Sequence, residues 1–143
     1  MNMEKHYNPQ ETEPKIYSLW ENSGFFNPDN PPVTKSYKLK AKNFCVIMPP
    51  PNANGSLHIG HALFVTLQDI MTRFNRMRGR RALWLPGSDH AGFETQVVFE
   101  KKLEKEGKNR FEIERKYLYK QMYAFTQKNK INVENQLKKL GAS

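Results

Sequence analysis

The eighteen residues from Phe44 to His61, FCVIMPPPNANGSLHIGH, constrain the fold of this chain more than any other stretch. Phe44 to Met48 read as a short buried strand. Pro49, Pro50 and Pro51 then forbid both its continuation and an immediate helix, because proline offers no N–H to a ladder or a helix interior. The chain must turn there, through Asn52, Asn54, Gly55 and Ser56. Beyond the turn, Ile59, Leu63, Leu67, Ile70, Phe74 and Met77 recur at helix spacing, with Ala62 and Met71 beside them. Arg73, Arg76 and Arg78 gather at the far end and Gly79 stops the helix, as the dipole and a left-handed cap favour. Arg81 to Pro86, RALWLP, is a second short strand. Strand, long helix and strand in this order make a βαβ unit, which implies parallel strands and a right-handed crossover.

Loops that follow parallel strands open on one edge of a sheet, where ligands bind. The first such loop carries His58 and His61 at the start of the long helix, where free N–H groups and the positive dipole end suit a phosphate. The second is GSDHAG, Gly87 to Gly92, so Asp89 and His90 are expected near Asn52, His58 and His61. Ser88 or Asp89 could cap the helix that begins near Phe93 and carries Val97, Val98 and Leu103.

Elsewhere the chain is helical and charged. Asn8 and Pro9, followed by Gln10 and Glu11, predict a helix that Gly24 ends, with Ile16, Leu19, Trp20 and Tyr17 as its apolar face. Asn27 to Pro32, with Lys35, Lys38, Lys40 and Lys42, form a proline-broken connector, so residues 1–43 stand apart from an α/β segment at 44–143. Past Gly107, Phe111, Ile113, Tyr117, Leu118, Met122 and Phe125 suggest one amphipathic helix, and Val133, Leu137 and Leu140 a shorter one. The expected fold class is α/β, a parallel βαβ unit between an N-terminal helix and C-terminal helices.

Nine Phe and two Trp among 143 residues argue against disorder, and no apolar run reaches membrane-spanning length. Cys45 is the only cysteine; it lies in the apolar strand, is expected in the core, and fits a reducing cytosol. The net charge of +9 makes an anionic partner such as nucleotide or RNA plausible, although solvated lysine accounts for the same charge.

A His-x-x-His pair on a helix can hold zinc, but a metal site needs a third ligand that this pattern does not supply, so no protein-bound metal is expected. Structural histidines are the other plain reading. Gly60, between the two, would let a flat ring approach the backbone. The string PPPNANGSLHIGHAL resembles the HIGH signature of the class I aminoacyl-tRNA synthetases, in the proline-rich form of the valine, isoleucine and leucine group.

That resemblance implies the first half of a Rossmann-like nucleotide-binding fold and the activation of an amino acid by ATP, with Mg2+ accompanying the nucleotide. It gives His58 and His61 to the ATP phosphates as catalytic donors, Gly60 to the adenine, and the Asn54-Gly55-Ser56 turn to the nucleotide. It gives Asp89 to the α-ammonium of the amino acid, with carbonyls from Pro50 and Pro51, and sets Asn52 at the side-chain pocket. The physics agrees, because preorganised donors aimed at phosphate oxygens lower the barrier to phosphoryl chemistry. A buried carboxylate is the natural partner for the ammonium.

Within the group, TLQD, LWLPG, DHAG and ETQVV resemble the valine-specific members along nearly the whole chain, whereas Ala53-Asn54 leans toward isoleucine. The implied partners are valine, ATP and tRNA, in a cytoplasmic enzyme that is monomeric when complete. The family's lysine-rich KMSKS loop has no counterpart here, and neither do its editing and anticodon-binding domains, so the chain reads as an N-terminal portion. A nucleotide-binding module without turnover and a basic RNA-binding fragment remain as alternatives. An RNA module should interleave exposed aromatics with its cations, whereas most aromatics here fall at core spacing.

Overall fold

The computed structural model of the protein describes residues 6–30 and 42–143. The connector residues Pro32, Lys35, Lys38 and Lys40 lie outside the described residues. The elements are α1 (Pro9–Ser23), β1 (Asn43–Ile47), α2 (Ile59–Met77), β2 (Arg81–Leu85), α3 (Gly92–Lys105), a 3-10 turn (Arg110–Glu112) and α4 (Arg115–Lys139). β1 and β2 pair in parallel, from Asn43 opposite Arg81 to Ile47 opposite Leu85. With α2 between them in the chain they form the parallel βαβ core of a partial Rossmann-like fold. The chain divides into two compact units, one of residues 1–48, 63–85 and 137–143, the other of residues 49–62 and 86–136.

In the first unit, Met48, Val65, Ala82, Trp84, Leu137 and Ala142 form the apolar core. Thr72 and Asn75 are buried with them, each bonding back to a carbonyl one helical turn earlier, at Gln68 and Met71. The Trp84 indole N–H donates to Gln68 Oε1 at 2.9 Å, so the polar face of α2 is the one engaged. Asp69 accepts from Arg73 and from both the backbone N–H and the hydroxyl of Ser143, while Arg76 donates to the Ser143 carbonyl and hydroxyl. Arg73 also lies over the Trp20 ring, 4.5 Å from its centroid, and the Tyr17 hydroxyl donates to the Ala142 carbonyl.

This arrangement reverses the expected face of α2. Ile59, Leu63, Leu67, Ile70, Phe74 and Met77 recur as predicted, yet each is between 52% and 86% exposed. The side chains that pack inward belong to the opposite face, where Trp84 meets Gln68, Ser143 meets Asp69 and Arg76, and Gly141 meets Arg73. β1 is likewise half-exposed, and Cys45 points outward with Ile47, so neither strand residue is in the core. In α1, Ile16 and Leu19 are exposed, and Tyr17 and Trp20 alone carry the packing expected of its apolar face.

In the second unit, Ala53, Thr95, Phe99, Leu103, Thr126 and Val133 are buried, and Phe99 meets Phe125 with ring centroids 5.5 Å apart. The two expected C-terminal helices are one, α4, because neither glycine nor proline interrupts the chain from Arg115 to Lys139. Phe111 falls in the 3-10 turn and is exposed, as is Tyr117 in the first turn of α4.

Helices α2, α3 and α4 share one ending. Gly79, Gly107 and Gly141 adopt φ of 74°, 71° and 72°. The next residue in each case bonds back to the carbonyl four before the glycine, as Arg80 does to Asn75 and Ala142 to Leu137. The last of these turns carries Ser143 to Asp69.

Candidate active site

All the site residues named from the sequence belong to the second unit. Its two loops, each following a strand in the chain, are zipped together by backbone: Asp89 N–H donates to the Pro51 carbonyl at 2.9 Å, and Ala53 N–H to the Asp89 carbonyl at 2.7 Å. Asn52 and Asp89 thus sit opposite one another in a parallel bridge, as the expectation of a shared edge requires. Pro51 and Ala53 are buried, and Asn52 and Pro50 are exposed between and beside them. Gly87 passes over Pro50, where an added Cβ would meet the proline Cβ at 4.0 Å.

Asp89 departs from expectation in two respects. It is exposed rather than buried, and it does not cap α3. Its Oδ1 instead accepts the Ala91 N–H at 2.9 Å, closing a tight turn in which Ala91 takes φ of +46°, a left-handed conformation that costs a non-glycine residue about 1 kcal/mol. Ser88 does not cap it either; the residue at the cap position is Ala91, with no side-chain bond. The second turn is held by Thr95, whose hydroxyl donates to the His90 carbonyl at 2.6 Å.

The histidine turn is built as a reciprocal cap. His58 immediately precedes α2, and its Nδ1 accepts the Gly60 N–H at 3.1 Å. His61, three residues on, returns the bond: its Nδ1 accepts the His58 N–H at 3.2 Å. The arrangement resembles a capping box, with imidazoles in place of the usual hydroxyl and carboxylate and with the first bond made to the second helical residue instead of the third. His61 and Ala62 N–H groups bond to the His58 carbonyl at 2.9 and 3.2 Å. Three of the N–H groups expected to await a phosphate, those of Gly60, His61 and Ala62, are therefore engaged within the turn.

The donors pass to the side chains. A neutral imidazole whose Nδ1 accepts a hydrogen bond carries its proton on Nε2. Both rings consequently present an Nε2–H, with centroids 3.9 Å apart. The pKa of His61 is lowered from the ordinary 6.5, first by burial and then by His58 beside it, which favours this neutral form. Gly60 is needed for the packing, since a Cβ there would lie 2.9 Å from His58 Cε1. The ring that approaches this glycine is the motif's own His58.

The loop between the bridge and the cap is tied down from α4. Leu57 N–H donates to Gln136 Oε1 at 2.9 Å, and Asn132 Nδ2 donates to the Ser56 hydroxyl at 3.1 Å. Neither residue was expected from the sequence; the only hint is that both are uncharged amides flanking the apolar positions Val133 and Leu137 in an otherwise cationic helix. Asn54 and Gly55 are half-buried on the same loop, and open space lies above Gly55. Among the described residues, no group of three or more His, Cys, Asp or Glu is placed to hold a metal ion, and no helix is long and apolar enough to cross a membrane.

A family model described as tRNA synthetases class I (I, L, M and V) matches residues 15–143. A valine-tRNA ligase of Caulobacter vibrioides is 46% identical over 142 residues, covering 99% of this chain and 15% of its own length. A chloroplastic/mitochondrial valine-tRNA ligase of Arabidopsis thaliana is 48% identical over 132 residues, covering 92% of this chain and 13% of its own. A valine-tRNA ligase of Aquifex aeolicus is 45% identical over 139 residues, 97% of this chain and 11% of its own. The chain thus spans between 11% and 15% of the length of these relatives. With a family match that runs over its two loops and its paired histidines, the chain belongs to the class I tRNA synthetases.

Proposed function

We propose that this chain carries the amino-acid-activating site of a valine-tRNA ligase. The observation that carries the reading is the pair of imidazoles at the start of α2, each with Nδ1 accepting a backbone N–H and so held in a fixed orientation. In the proposed reaction a carboxylate oxygen of valine attacks the α-phosphorus of ATP, a new O–P bond forms, and the bond to the bridging oxygen breaks with loss of pyrophosphate. Transfer of the valyl group to tRNA then releases AMP. No protein nucleophile is required. His58 and His61 donate to the phosphate oxygens as charge grows on them, and rings already fixed by the backbone do so without reorganisation. Mg2+ enters with the ATP phosphates as part of the substrate.

Asp89 pairs with the α-ammonium of valine, supported by carbonyls of Pro50 and Pro51, while Asn52, its bridge partner, borders the side chain. The Asn54-Gly55 turn and Gly60 line the nucleotide. Asp89 Oδ1 already holds the Ala91 N–H, which fixes the carboxylate and leaves Oδ2 to face a ligand. The cytoplasm is the proposed compartment.

The test is a chimera in which this chain replaces the matching segment of the Caulobacter vibrioides enzyme, assayed by amino-acid-dependent pyrophosphate exchange. Valine should be preferred to isoleucine, whose extra methylene clashes, and threonine should leak through because it shares the shape of valine. His58→Asn and His61→Asn should lower the exchange rate far more than ATP affinity, and Asp89→Asn should weaken valine binding. Better exchange with isoleucine would move the specificity to that amino acid, and full exchange rates in both histidine variants would remove the catalytic reading of the motif.

A further inference from the structure

Three aromatic rings stand in a row on the second unit. Tyr119 and Tyr123 lie one turn apart on α4, ring centroids 6.5 Å apart and planes within 22°. His90, from the GSDHAG turn, continues the row beyond Tyr123, again at 6.5 Å and within 23°. Helix spacing alone would bring the two tyrosines together, and such a pair contributes only about 0.2–0.5 kcal/mol to a helix. It does not explain why the row is open, with Tyr119 69% and Tyr123 53% exposed, or why a loop residue joins it.

The charge around the row narrows the occupant. The sequence of α4 holds seven Lys and Arg against one acid, Glu134. Lys116 precedes Tyr119 by three residues and Lys130 follows Tyr123 by seven, so both cations share the helical stripe of the rings. Lys120 adjoins it. An apolar protein segment laid on this stripe would have to strip water from those ammonium groups without replacing it. A chain with one anion and one flat apolar face per unit meets both demands. The centroid spacing is also close to twice the roughly 3.4 Å rise between nucleotides along a strand, so neighbouring rings match alternate bases of a stacked strand.

We infer that the row His90–Tyr123–Tyr119, flanked by Lys116 and Lys120, is a stacking platform for an unpaired nucleic-acid strand. Stacking reads the face that every base shares, so the site tolerates sequence and favours purines, whose faces are larger. The lysines supply salt-dependent phosphate contacts. Tyr119 and Tyr123 lie outside the apolar positions that the sequence marks on this stretch, on the surface beside cations. The site stands independently of the ligase reading.

The experiment measures the protein's binding to fluorescein-labelled oligo(A) and oligo(U) twelve-mers by anisotropy across a salt series. Oligo(A) should bind more tightly. Replacing both tyrosines by leucine, a strong helix former of apolar character, should weaken oligo(A) binding about tenfold or more, whereas Tyr119→Phe with Tyr123→Phe should stay within about twofold. Lys116→Gln should lower the slope of log affinity against log salt by about 0.7. Circular dichroism checks that α4 persists in each variant. Equal binding by the leucine variant would overturn the proposal and mark the stripe as an apolar protein-docking face. Displacement of oligo(A) by inorganic polyphosphate as effectively as by oligo(A), phosphate for phosphate, would overturn it in favour of net charge alone.

Discussion

The backbone N–H of His58 donates to Nδ1 of His61, and in return the ring of His58 closes over the backbone of Gly60. In its neutral form each imidazole should therefore carry its proton on Nε2. Nitrogen-15 correlation spectra should show an unprotonated Nδ1 at both positions; an Nδ1–H tautomer at either would break the cap.

The direction of the His61 shift fixes its pH behaviour. A folded-state pKa below 6.5 means that the neutral ring is the form the fold prefers. Its contribution is complete above 6.5 and disappears as pH falls through the depressed value, where a proton on Nδ1 displaces the His58 N–H. The His61 midpoint should fall below 6.5 in an NMR titration, and the first turn of α2 should lose amide protection over the same interval.

The cap also separates stability from chemistry. Asparagine is among the best N-cap residues, so His58→Asn should leave thermal stability nearly unchanged, whereas His58→Ala should cost about 1 kcal/mol. Urea unfolding of both variants makes the comparison. An equal loss in the two would show that the ring does not act as a cap.

Gly60→Ala should have opposed effects. Alanine gains about 1 kcal/mol of helix propensity over glycine, but its Cβ would stand 2.9 Å from His58 Cε1 and must turn that ring aside. Because the displaced ring also loses its bond to the Gly60 N–H, the expected variant is close to the parent in stability and binds ATP more weakly, which calorimetry reads directly. Unimpaired ATP binding would show that the ring's position over the glycine is irrelevant.

Gln136→Leu should free the loop entering the histidine turn by leaving the Leu57 N–H without its acceptor, at a cost of about 1–3 kcal/mol. Gln136→Glu keeps an oxygen at the same reach and should retain most of the stability. Denaturation midpoints for the two variants test this, and indistinguishable losses would assign the effect to packing instead.

The sequence rules carry the fold to the level of element order because each boundary has its own chemical mark: Pro9, Gly24, the triple proline, Gly79 and Gly107 all stand where a helix or strand starts or stops. They fail at orientation. The apolar stripe of α2 is legible as a period, but which face packs depends on partners far away in sequence, here Trp84 and Ser143, and periodicity contains no such information. Cys45 is misplaced for the same reason, since a five-residue strand with one neighbouring strand among the described residues buries only part of its surface. At the site, the identity of His58, Gly60 and His61 was readable, but not that Gly60's role begins with a contact inside its own motif. Asn132 and Gln136 were invisible, as amides in a cationic helix carry no signature until the loop they hold is in place.

Joining cap and donor in one side chain has a consequence for lineages that drift. A copy relieved of phosphate chemistry still has to begin its helix, and at position 58 serine, threonine, aspartate or asparagine would do that at least as well as histidine. Selection for folding alone thus gives no reason to keep an imidazole there, and mutation would replace it without penalty. Where both imidazoles persist at this spacing, the need to begin a helix does not by itself account for them.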